Sequence, residues 1–218
     1  ANPTSQPLKQ GLSMTTLFIF PGACSFAAHV VIHELQLPIS VERVTLGDPN
    51  SPYRQINPTG RVPALLLDNQ TLLTENTAIL PYLADLKPGT ELFAPAGSVE
   101  RAQIQGWLGY VATEIHVGAF RPINRPERYS ADESAFPGIR QRALEQLSNA
   151  LKPIEARLAQ TEYLVGDRFT VADAYLGVFL GWSARVGVLN DFPALQAALG
   201  RFRARESVVQ TLAAEGLA

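Results

Sequence analysis

Every strand-like run in this chain falls before residue 75, and everything after residue 97 is patterned for helices. Such an asymmetry predicts a small sheet at one end and helix packed on helix for the remainder. Residues 17–20 form a short apolar run closed by Pro21-Gly22. Residues 24–37 carry Val30, Val31, Ile32 and Leu35 at helical spacing and stop at Leu37-Pro38. Residues 39–44 have strand composition, and breakers from Gly47 to Pro52 follow. Residues 62–67 and 71–74 flank Asp68-Asn69-Gln70 as a hairpin. Residues 75–86 put Ile79, Leu80, Leu83 and Leu86 on one helical face, and Pro81 inside that helix predicts a kink.

The segment 87–97, with two prolines and two glycines, reads as a linker. It divides a mixed α/β unit, residues 14–90, from an all-helical unit, residues 98–218. In the second unit, residues 99–116 read as one long helix and 121–137 as a proline-broken loop. Leu144, Leu147, Leu151, Ile154 and Leu158 mark another helix, with a bend expected at Pro153. Thr170-Val171-Ala172-Asp173 resembles a capping box opening a helix that runs to Trp182, and Phe192-Pro193 introduces two shorter helices. The first thirteen residues are polar and lack the apolar stretch of a secretory signal, so they read as an unstructured extension before Met14. That favours a cytoplasmic protein.

Composition narrows the function classes. A chain that is 46% hydrophobic and 17% charged is globular rather than disordered. A net charge of −2 gives no basic footprint for nucleic acid. No apolar run approaches the roughly 18 residues of a membrane span. Cys24 is the only cysteine, which excludes an intramolecular disulfide, a cysteine-rich zinc site and a Cys-x-x-Cys pair.

Cys24 follows a turn and opens a helix, where free backbone N–H groups and the helix dipole lower a thiol's pKa. Ser25 adds a hydroxyl donor beside it. The bland alternative is a small buried cysteine. Val62-Pro63 opens a strand, and the general preference of X-Pro bonds makes it trans on sequence alone. Thr74-Glu75-Asn76 stands at a strand-to-helix junction, where N–H groups suit a carboxylate and Glu75 an ammonium; simple capping explains the same residues. His29 and His33 share one helix face, but no third metal ligand accompanies them, so packing or exposure is expected and no metal site. His116, with Glu114 two residues earlier, reads alone as a helix-end histidine. Trp107, Tyr110 and Trp182 read as core.

In order along the chain stand Pro21-Gly22-Ala23-Cys24-Ser25, Asn57-Pro58-Thr59-Gly60-Arg61-Val62-Pro63, Leu73-Thr74-Glu75-Asn76, Ala112-Thr113-Glu114-Ile115-His116 and Phe169-Thr170-Val171-Ala172-Asp173. From Met14 to Ala218 the chain resembles a bacterial glutathione transferase of the beta class. The resemblance implies a thioredoxin-like glutathione-binding domain, a helical domain forming most of a hydrophobic substrate pocket, and a homodimer. It implies a cis Val62-Pro63 bond, with the Val62 backbone pairing the cysteinyl part of glutathione. Glu75 and Asn76 would hold the γ-glutamyl end, with Glu114 near it. Cys24, Ser25 and His116 would supply donors to the glutathione thiolate, which attacks a small hydrophobic electrophile in a detoxification-type reaction. Alternatives are glutathione-dependent disulfide or peroxide reduction through a mixed disulfide at Cys24, and a non-catalytic carrier of hydrophobic ligands. Ile19 replaces a tyrosine common in the class, Gly109 an asparagine, Val117 a lysine, and a loop lysine is missing. Weaker glutathione affinity than in a typical member is therefore expected.

Overall fold

The computed structural model describes residues 15–218; the polar extension 1–13 and Met14 lie outside the described residues. Strand β1 (Thr16–Ile19) occupies the middle of a four-stranded sheet of order β2-β1-β3-β4. It runs parallel to β2 (Ser40–Arg43) and antiparallel to β3 (Ala64–Leu66), which pairs antiparallel with β4 (Leu72–Thr74). A parallel pair needs a crossover, and helix α1 (Phe26–Leu35) supplies it. Alternation along β1 separates two apolar faces: Leu17 and Ile19 enter the main core, while Phe18 packs with Tyr53, Val62 and Ala64 behind the sheet.

The breaker-rich loop holds an unexpected short helix, α2 (Tyr53–Ile56). Its Tyr53 hydroxyl donates to the Arg61 carbonyl at 2.6 Å, and buried Asn57 donates to the same oxygen at 2.9 Å. These bonds hold from behind the segment that leads into Val62-Pro63, which is cis as the resemblance implied and against the general preference. Gly60 takes φ +64°, and a Cβ there would meet the Arg54 guanidinium at 3.0 Å. Helix α3 (Asn76–Asp85) closes this part and runs through Pro81.

Helix α4 (Val99–Tyr110) continues without a break into a π-helical segment, Val111–Phe120, and then into α5 (Arg121–Asn124). The helix expected to stop at residue 116 therefore persists eight residues further. Gly118 accommodates the wider turn, since a Cβ there would lie 2.8 Å from the Thr113 carbonyl oxygen. Helix α6 (Phe136–Leu158) runs through Pro153, and α7 (Val171–Arg185) opens on the expected capping box. Asp173 accepts from the Thr170 backbone N–H and hydroxyl, both at 2.9 Å, and from the Leu164 N–H at 2.9 Å. Helices α8 (Pro193–Ala204) and α9 (Glu206–Glu215) end the chain.

Helix α7 is buried along most of its length and packs on α1, α3, α4 and α8, so one apolar core spans sheet and bundle. Helix α9 returns to α1. There the buried Glu215 carboxylate meets His29 Nδ1 at 2.8 Å and accepts from the Gly22 N–H at 2.8 Å. His33 Nδ1 stands 2.7 Å from the Thr211 hydroxyl. The two helix-face histidines are thus turned toward α9, in the packing role expected of them.

Candidate active site

The turn after β1, the cis-proline segment, the start of α3 and the π-helical segment meet in a cleft between sheet and bundle. Two adjoining cavities occupy it. The inner one, about 120 Å³, is lined by Cys24, Val62, Pro63, Glu75, Asn76 and His116 among others. The outer one, about 420 Å³, shares Cys24, Val62 and His116 and opens toward α5. Six of the eight residues singled out for the site therefore stand together.

Two do not. Ser25 is fully buried, and its hydroxyl is committed to the backbone of Phe20, accepting from its N–H at 3.2 Å and donating to its carbonyl at 3.3 Å. It braces the turn rather than facing the cleft. Glu114 is exposed and lies outside the walls of both cavities, because the π-helical segment that carries His116 inward turns Glu114 toward solvent.

Cys24 differs from expectation in its chemistry. Burial pushes its thiol up to about 12, with the Glu75 carboxylate adding to the rise, and the N–H groups of Cys24 and Ser25 only partly offset this. The resting group is a neutral thiol that donates to the Val62 carbonyl at 3.3 Å. Local helix-end logic pointed downward; desolvation by the assembled core is the larger effect.

At the α3 end, Asn76 is 3% exposed, donates from Nδ2 to the Cys24 carbonyl at 2.9 Å, and leaves its Oδ1 without a protein partner. An orphaned buried acceptor is costly unless a ligand donor meets it. Beside it Glu75 holds φ +71°, ψ 127°, a conformation that side chains rarely adopt. Strain and an unpaired acceptor together mark this corner as built for a ligand, and its acceptor groups suit a ligand's amine.

Sequence reasoning missed Tyr175. Its hydroxyl lies 3.2 Å from His116 Nδ1, and it lines the inner cavity. Burial raises its pKa, with the neighbouring Cys24 and Glu75 adding to the rise, so it remains a phenol. Trp182, expected as core, packs on Phe120 and Phe179 but also lines the outer cavity, and its indole N–H donates to the Gly22 carbonyl at 3.1 Å.

Burial and then the charges of Arg121 and Arg61 push the His116 imidazole down to about 4. This lies below its ordinary value near 6.5, so between the two the unfolded chain binds more protons. The stability owed to neutral His116 is complete above about pH 6.5 and is lost as pH falls toward 4. Asp173 acts oppositely: burial lifts it to about 6 against its donated hydrogen bonds, so its contribution grows as pH falls from 6 toward 3.8. His116→Gln removes the first contribution alone. Its melting temperature should decline less steeply than that of the parent between pH 6.5 and 4.5; parallel curves would contradict the shift.

Comparison with known proteins decides the family. Residues 17–91 match the glutathione S-transferase N-terminal domain and residues 137–206 the glutathione S-transferase C-terminal domain. The chain is 39% identical over 209 residues to glutathione S-transferase GstA of Escherichia coli O157:H7, covering 92% of this chain and 98% of the relative. The chain belongs to the glutathione S-transferase family. Among solved structures, a bacterial beta class glutathione S-transferase from Sphingomonas chungbukensis superposes with a TM-score of 0.83 at 36% identity, covering 93% of this chain and all of that one. A sphingomonad glutathione S-transferase in complex with glutathione gives 0.82 at 36% identity with the same coverage. The thioredoxin-like sheet and helical bundle are those of this transferase family. Among the described residues no helix is long and apolar enough to cross a membrane.

Proposed function

We propose that this glutathione S-transferase conjugates the thiolate of glutathione to a small hydrophobic electrophile. The observation that carries the reading is the convergence of Cys24, Val62, Glu75, Asn76 and His116 on one pair of adjoining cavities. Glutathione lies with its γ-glutamyl ammonium at Glu75 and the Asn76 Oδ1, and with its cysteinyl part along the Val62 backbone. The free N–H groups at the start of α3 receive the γ-glutamyl carboxylate.

Thiols titrate near 8.5, so the site must favour the thiolate with placed donors. Neutral His116 serves as one. Nδ1 stands 3.2 Å from the Tyr175 hydroxyl; with that hydroxyl as the donor, the imidazole proton is held on Nε2 for the sulfur. The Cys24 thiol is a second donor, released from the Val62 carbonyl. The sulfur lone pair then attacks the electrophilic carbon, the C–S bond forms, and a leaving group such as halide departs with its electron pair. The proton from glutathione passes to solvent.

The high thiol pKa weighs against the reductase alternative, which needs a Cys24 thiolate as nucleophile. Homodimeric assembly accompanies the proposal as part of the family resemblance, and a cytoplasmic setting is proposed with it. The test is glutathione-dependent turnover of an activated aryl halide by the reduced protein and by Cys24→Ala. Conjugation should survive in the variant within about tenfold, the value of a neutral hydrogen bond or two. Complete loss with Cys24→Ala, or disulfide reduction without conjugation, would move the function to the covalent chemistry.

A further inference from the structure

The outer cavity is not uniformly apolar. Its walls include Phe120, Trp182 and Leu46, yet they also carry Arg54, Arg61, Arg121, Arg125 and Arg128 against a single acid, Glu127. The chain as a whole has 18 basic and 20 acidic residues, so this concentration is local. Arg54 is spent on structure, donating to the Asp48 and Pro58 carbonyls. Arg125 reaches Glu127 only at 3.9 Å, with both side chains more than half exposed. Arg61, Arg121 and Arg128 form no ion pair among the described residues. A concave wall of one sign focuses its field on whatever enters.

Glutathione accounts for part of this charge. Its ammonium end belongs at Glu75, so its glycyl carboxylate extends away from α3 toward the wall shared by the two cavities. Arg61 and Arg121 line both cavities and suffice for one carboxylate. Arg125, at the end of α5, and Arg128, in the turn Pro126–Arg128, line the outer cavity alone. Nothing in glutathione answers them.

We propose that the electrophile is itself anionic: an apolar, planar body seated against Phe120 and Trp182 and bearing a carboxylate, sulfonate or phosphate held by Arg125 and Arg128. This rests on the transferase reading and names its substrate class. A cavity of about 420 Å³ suits such a molecule.

Two aryl halides that differ by one carboxylate test it: 1-chloro-2,6-dinitrobenzene and 4-chloro-3,5-dinitrobenzoate. Each kcat/KM is divided by the probe's uncatalysed rate with glutathione. The parent protein should favour the benzoate at least tenfold, less so in 0.5 M salt. The double variant Arg125→Gln, Arg128→Gln should abolish that preference. Equal use of the two probes by the parent, or a preference that survives in the variant, overturns the proposal. So does a rise in the glutathione KM by the same factor, which would assign both arginines to the tripeptide. If neither halide is consumed, the transferase reading fails, and calorimetry with unreactive 3,5-dinitrobenzoate decides the anion site on its own. Binding at least tenfold weaker in the double variant supports the site; equal binding, or none to either protein, overturns it.

Discussion

Glu215→Ala should lower the stability of this protein by about 3 kcal/mol, although residue 215 is only three positions before the last residue of the sequence. Terminal residues are usually tolerant of change, but this carboxylate is buried against His29 and the Gly22 N–H. Removing it leaves the buried His29 ring nitrogen without its partner, worth about 1–3 kcal/mol when unsatisfied, and frees the half-buried Gly22 N–H as well. For a chain of this size the loss corresponds to a fall in melting temperature of about 6–12 °C. The consequence reaches the site, because Gly22 is two residues from Cys24 and takes φ +72°. Its N–H is fixed by Glu215 and its carbonyl by the Trp182 indole. His29→Leu with Glu215→Leu should recover part of the loss by replacing both ionisable partners with apolar ones, leaving only the Gly22 N–H unpaired. A Glu215→Ala protein melting within 2 °C of the parent would show that the contact carries little.

Glu75→Gly should separate binding from stability. The carboxylate is the group proposed to meet the glutathione ammonium, a charge-assisted contact worth about 1.5–3 kcal/mol, so the glutathione Kd should rise roughly 10–150-fold. The same substitution removes a side chain from φ +71°, where strain costs on the order of 1 kcal/mol or more, and glycine is acceptable before a helix. The melting temperature should therefore rise by a few degrees while binding collapses. Glu75→Gln loses the charge and keeps the strain, so it should weaken binding without any gain in stability. Unchanged glutathione affinity in both variants would remove Glu75 from the site.

Local pattern carried much of the architecture. The apolar run at β1, helical spacing in α1 and the capping box at Thr170 are each decided within a few residues, and each appears where the pattern placed it. What escaped depends on distant partners. Helix α2 sits among breakers and is held by Tyr53 and Asn57 reaching the Arg61 carbonyl. The π-helical segment keeps Val111, Ile115 and Ala119 at ordinary helical spacing, so nothing in the pattern distinguishes it from α-helix. The Cys24 thiol was misjudged in direction because helix-end effects are local and burial is not. The arginine wall has no signature in sequence: its members come from positions 54, 61, 121, 125 and 128, and only the fold places them around one cavity. Tyr175 carries no motif of its own in the sequence, and only the packing of α7 against the π-helical segment brings its hydroxyl to His116.

The central claim is that the cleft between Cys24, Glu75 and His116 is a glutathione site. Calorimetric titration of the reduced protein with glutathione at neutral pH tests it most directly. Saturable binding at one site per chain is predicted, with a Kd above about 10 μM because the lysines common in the beta class are absent. No heat of binding at millimolar glutathione would contradict the claim and leave the fold without the function proposed for it.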